Sequence, residues 1–167
     1  LGTLLGQLMA AYEMNAFKDE YQKAVIENAK HFAKCLASEG LDVAGDPSIG
    51  YTETHQVIVK VGYAHGPEIA ERLEANNIVC NYQATPEEEG FSASGALRMG
   101  VNEMTRFGFG KDEFAKLAHL IAECVLHNTN VKEEVIKLRA GYTDMHYCFS
   151  DAETEAMLQS FAQATGI

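Results

Sequence analysis

The stretch His55-Gln56-Val57-Ile58-Val59-Lys60-Val61 places valine at every second position, with Gln56, Ile58 and Lys60 between. Side chains of a β-strand point alternately to opposite faces, so this pattern predicts a strand with one well-buried side. Working outward, Gly66-Pro67-Glu68 opens a short helix, because proline suits the first helical turn and glutamate the positive end of the helix dipole. Asn76-Asn77 closes that helix, and Ile78-Val79-Cys80 reads as a second strand. A polar loop containing Pro86-Glu87-Glu88-Glu89-Gly90 leads to a third strand, Ala96-Leu97-Arg98-Met99-Gly100. Lys111-Asp112-Glu113 then begins an amphipathic helix with Phe114, Leu117, Ala118, Ile121, Cys124 and Val125 on one face.

The flanks are helical. Leu4, Leu5, Leu8, Met9 and Tyr12 predict a helix over residues 3–14, with Asn15 as its terminator. A second helix starts near Lys18, carries the stripe Tyr21, Val25, Phe32 and Leu36, and stops at Gly40. Asp46-Pro47-Ser48-Ile49-Gly50 is turn chemistry. Further helical patterns cover residues 131–138 and 151–162. Helices, then strand–helix–strand–strand–helix, then helices, make an α+β fold: a small open sheet with helices packed on one face.

Composition narrows the function. The chain has 24 acidic against 13 basic side chains, a formal net charge of -11. That sign disfavours nucleic acid and anionic membrane surfaces, which are both held by clustered lysine and arginine. No run approaches the ~20 apolar residues of a membrane helix. Cys35, Cys80, Cys124 and Cys148 form no CxxC pair, so metal ligation is not expected and reduced thiols in the cytoplasm are. Leu1-Gly2-Thr3-Leu4-Leu5-Gly6 lacks an initiator methionine and a basic n-region. A chain opening inside an apolar helical pattern reads as a segment of a longer polypeptide.

Four motifs, in order along the chain, carry a resemblance. They are Tyr21-Gln22-Lys23-Ala24-Val25 with Asn28-Ala29-Lys30; Thr54-His55-Gln56-Val57-Ile58-Val59; Asn77-Ile78-Val79-Cys80-Asn81; and Arg98-Met99-Gly100 followed by Glu103-Met104-Thr105-Arg106-Phe107-Gly108-Phe109. Together they resemble the serine hydroxymethyltransferase family, over about residues 1–126, with the E-x-T-R form similar to its archaeal-type branch. The resemblance implies the small C-terminal domain of a fold-type-I pyridoxal-phosphate enzyme. Its small sheet would be of antiparallel type. Residues 1–38 would be helices linking from a large domain, 39–126 the small α+β domain, and 127–167 a helical C-terminal extension. It also implies a cytoplasmic homo-oligomer, such as a dimer, that moves a hydroxymethyl group between serine and a reduced pterin, yielding glycine. Pyridoxal phosphate would act as the electron sink.

The resemblance assigns Arg98 to grip the substrate carboxylate, where two parallel N–H groups meet two oxygens. The plain alternative is an arginine at a strand end paired with a nearby glutamate. Glu103 and Arg106, three apart, are expected to form a local ion pair. His55 opens a strand and has a place from which to face a site, although an isolated histidine ordinarily serves structure. His31, His65, His119, His127 and His146 show no ligand spacing. Gln83 stands where the family carries a pterin-contacting asparagine, one methylene longer. Gly95-Ala96-Leu97-Arg98 departs from the family's S-G-x-R approach. The family's Thr-rich stretch with His-Lys, which holds the cofactor, has no counterpart in this sequence. A covalently held cofactor needs such a lysine. No cofactor is therefore expected on this chain alone.

Three readings follow. One is a segment of a hydroxymethyltransferase-like enzyme. The second is a segment of a pyridoxal-phosphate-dependent aldolase or transaldolase acting on β-hydroxy amino acids. The third is a stand-alone α+β binding module.

Overall fold

A computed structural model describes residues 2–85, 87, 90 and 93–166. Pro86, Glu88 and Glu89 of the acidic loop lie outside the described residues, as does Leu1. One helix, α1 (Gly2–Ser38), replaces the two expected at the N-terminus. Asn15 does not end it: asparagine costs only a fraction of a kcal/mol in a helix interior, and no glycine or proline lies near. Contacts made by Glu13 and Tyr21 on either side of Asn15 hold the helix in place. From Val25 onward α1 enters the core through Val25, Ala29, Phe32, Ala33 and Leu36. Its end is a Schellman motif, with Leu41 N–H donating to Leu36 O, Gly40 N–H to Ala37 O, and Gly40 at φ +93.

Four strands, β1 (Asp42–Val43), β2 (Gln56–Lys60), β3 (Asn81–Gln83) and β4 (Ala96–Gly100), form one sheet in the order β1-β2-β4-β3. Every pairing is antiparallel. Val57 opposes Met99 and Val59 opposes Leu97, and these four buried side chains make the core face of the sheet. The helices cover that face. Phe32 of α1 meets Phe114 of α4 (Lys111–His127) with ring centroids 5.3 Å apart.

The strand expected at residues 78–80 lies three residues later. After α2 (Gly66–Ala75), Asn77 adopts φ +63 and Ile78 N–H returns to Leu73 O. Residues 76–78 therefore cap α2, and Ile78 plugs the core before the chain reaches the edge of β4.

A short helix, α3 (Asn102–Arg106), follows β4 directly. The expected Glu103–Arg106 pair does not form: Arg106 instead pairs with Glu13 of α1. Two further polar contacts join the same elements. Tyr21 donates its hydroxyl to Asn102 O at 3.0 Å. Asn28, only 6% exposed, donates to Thr105 Oγ1 and to Phe109 O, each at 3.0 Å.

The C-terminal residues pack over this junction. Val131 and Val135 of the α5 region (Lys132–Ala140) belong to the core. Tyr142 meets Phe109 edge-on at 4.9 Å, Tyr147 meets Tyr21 at 5.3 Å, and Phe149 meets Phe17 at 5.4 Å. A final helix, α6 (Asp151–Thr165), is capped by Ser150 and Glu153. Among the described residues no helix is long and apolar enough to cross a membrane.

Candidate functional site

The strand register puts Arg98 on the face of the sheet opposite the core. It lies across from Ile58 on β2 and Asn81 on β3. Gln83, two residues beyond Asn81, points to the same side, and such diagonal neighbours stand about 7–8 Å apart. His55 precedes β2 and accepts a backbone bond from Val101 at 3.1 Å. Its ring lies against Gly100, 3.6 Å from the position a Cβ would take there. Arg98 and His55 thus border one cavity of about 610 Å³, together with Asn81, Asn102 and Glu103. Gln83 does not line it.

Arg98 is half-buried, and it makes no ion pair or side-chain hydrogen bond with any described residue. Guanidinium groups brought partly out of water are ordinarily paired. The strand-end ion pair considered from the sequence is therefore not what occupies this side chain. Its backbone is held by β2 and β3 on both sides, so the strand is rigid where the guanidinium is free.

Cys80 lines the same cavity, and burial pushes its thiol up to about 11. A thiol held protonated in this way is no nucleophile at neutral pH. Among the described residues no group of histidine, cysteine, aspartate and glutamate is placed to hold a metal ion. No lysine lines either cavity that borders Arg98. The residues gathered there fit an amino-acid carboxylate and do not by themselves fit a covalently held pyridoxal phosphate.

The sequence pattern of the serine hydroxymethyltransferase family matches residues 6–121. The chain belongs to the serine hydroxymethyltransferase family. It is 39% identical over 153 residues to the serine hydroxymethyltransferase of Pyrobaculum calidifontis, covering 90% of this chain and 35% of that protein. It is 36% identical over 149 residues to that of Saccharolobus islandicus, covering 86% and 34%. The chain thus spans about a third of the length of these relatives. An L-threonine transaldolase from Pseudomonas fluorescens has a similar structure, with a TM-score of 0.79, 29% identity, and coverage of 93% of this chain and 36% of the other. An alignment over 90% of the chain necessarily reaches past residue 127, so the tail has counterparts that the four motifs did not disclose.

In this family the motifs acquire a physical meaning. Asn28, from the first, clamps Thr105 and Phe109, from the last. A polar residue on the apolar face of a helix was the signal available for it. Burial pushes the Tyr21 hydroxyl up against the opposing pull of Arg106, so it stays protonated and donates to Asn102 O. This junction begins two residues after β4, the strand that carries Arg98.

Proposed function

We propose that this chain is the C-terminal, substrate-gripping portion of a pyridoxal-phosphate-dependent serine hydroxymethyltransferase, with Arg98 binding the amino-acid carboxylate. The observation that carries the reading is Arg98, half-buried, bordering a cavity, on a strand paired on both sides, and without a side-chain partner among the described residues. Two parallel N–H groups match two carboxylate oxygens, and a partly desolvated pair is stronger than one in water. The cofactor, held by a lysine in the remaining part of the enzyme, supplies the electron sink for breaking bonds at the amino-acid α-carbon. Arg98 orients the substrate, His55 borders the same space, and Gln83 on the neighbouring strand faces a pterin. The same reading places the enzyme in the cytoplasm as a homo-oligomer, in which the exposed Leu4, Leu8 and Tyr12 of α1 become covered.

Replacing the equivalent third of the Pyrobaculum calidifontis enzyme with this chain tests the proposal. The chimera should convert serine to glycine with a reduced pterin, Arg98→Gln should raise KM for serine at least tenfold, and Arg98→Lys should restore part of the loss. An unchanged KM in Arg98→Gln rejects the role.

The transaldolase likeness and Gln83 favour a second reading, a β-hydroxy amino acid aldolase or transaldolase. Turnover that depends on an added aldehyde and ignores pterin would select it.

A further inference from the structure

Ahead of Val25 no described residue of α1 is buried, yet this half of the helix holds an ion pair where water is scarce. The Glu13 side chain is 14% exposed and that of its partner Arg106 26%. The Arg106 Nε–H is buried and has no hydrogen-bond partner among the described residues. Two desolvated charges and an unsatisfied N–H cost nearly as much as their attraction contributes, so a leucine and a methionine would hold α1 to α3 at least as firmly. What an apolar pair would not supply is a fixed geometry, because a guanidinium fork donates to a carboxylate in few directions.

That geometry sets α3. Asn102, Glu103 and Met104 of this helix line the cavity that Arg98 borders. The same helix is bound to α1 at three points: Tyr21 donates to Asn102 O, Asn28 to Thr105 Oγ1, and Arg106 pairs with Glu13. The join between α3 and β4 has no slack. Val101 N–H donates to His55 O at 3.1 Å, and a Cβ on Gly100 would stand 2.8 Å from Asn102 Oδ1. A shift of α3 therefore reaches Gly100, which ends the strand that carries Arg98. We propose that Glu13, Arg106 and Tyr21 are positioning residues, acting through α3 to fix where the end of β4 presents Arg98. The inference rests on Arg98 as the carboxylate grip and adds the contacts that aim it.

The test is an NMR titration of the isotope-labelled full chain with glycine, following the Arg98 Nε–Hε resonance, in wild type and in the double variant Glu13→Leu, Arg106→Met. The double variant should keep a dispersed spectrum and a urea midpoint at or above that of wild type. It should bind glycine about tenfold more weakly, the low end for losing one hydrogen bond to a charged group. A structural role alone would leave the affinity unmoved. Glycine affinity within about twofold of wild type in the folded double variant overturns the inference. Should that variant lose its dispersed spectrum, Tyr21→Phe, which removes only a hydroxyl, decides: a loss of about threefold is expected, and wild-type affinity overturns the inference. Arg98→Gln separates the two levels. If it abolishes glycine binding while the double variant binds like wild type, only the positioning fails. If glycine binds Arg98→Gln as it binds wild type, or does not bind wild type at all, the grip itself fails, and the inference with it.

Discussion

Asn28→Ala is the perturbation that bears hardest on the fold around the site. The Asn28 amide donates at 3.0 Å to Thr105 Oγ1 and at 3.0 Å to Phe109 O, and both asparagine and threonine are buried, Thr105 at 2% exposure. The Thr105 hydroxyl can turn to another partner once the amide is gone. The Phe109 carbonyl cannot move without breaking the turn that returns Phe109 N–H to Met104 O. Leaving one buried carbonyl unsatisfied costs about 1–3 kcal/mol, and the void left by the amide adds roughly 1 kcal/mol. A loss of about 2–4 kcal/mol follows, or about 4–16 °C in Tm for a chain of this size. Urea unfolding followed by circular dichroism measures it. Asn28→Leu fills the space without donating and should recover only the void, remaining at least about 1 kcal/mol below wild type. A loss under about 0.5 kcal/mol for Asn28→Ala, or full recovery by Asn28→Leu, would refute the reasoning.

Tyr21→Phe removes the bond to Asn102 O while keeping the ring against Tyr147, so it should cost about 0.5–1.5 kcal/mol in the same assay. Truncation after Ala140 uncovers Phe109, Phe17 and Tyr21 by removing Tyr142, Tyr147 and Phe149. Hydrogen exchange at Thr105 and Phe109 should accelerate in that variant, and unchanged protection would show that the tail does not brace the junction. Cys80, with its thiol raised to about 11, should react with iodoacetamide at pH 8 far more slowly than an unfolded cysteine. The raised value belongs to the folded state, so its contribution to stability is present below pH 9 and is lost as pH rises through about 11. Cys80→Ala should flatten that alkaline decline.

The paired strands β2 and β4 were legible because alternation needs only a period of two, and their buried members are Val57, Val59, Leu97 and Met99. The α+β arrangement followed from element order, and the antiparallel type of its sheet from the family resemblance. Three local features were not legible, each because a distant partner outweighed a local rule. Asn15 has the propensity of a helix end, yet α1 passes through it with Glu13 and Tyr21 held by α3. Ile78-Val79-Cys80 has strand composition, yet Asn77 at positive φ returns Ile78 N–H to Leu73 O to cap α2, and the strand begins only at Asn81. Glu103 and Arg106 have ion-pair spacing, yet Arg106 finds Glu13, ninety-three positions away. Arg98 was legible through its motif alone. That it borders a cavity with no side-chain partner among the described residues was not, since pairing depends on what the fold brings beside it.

The central claim is that Arg98 is free in order to hold a carboxylate. Glycine titrated into the ¹⁵N-labelled chain, with the Arg98 side-chain Nε–Hε resonance followed directly, puts it to the test. A saturable shift of that resonance, with the binding lost in Arg98→Gln, is the predicted result. A resonance that does not move, or glycine binding that survives the substitution, would contradict it.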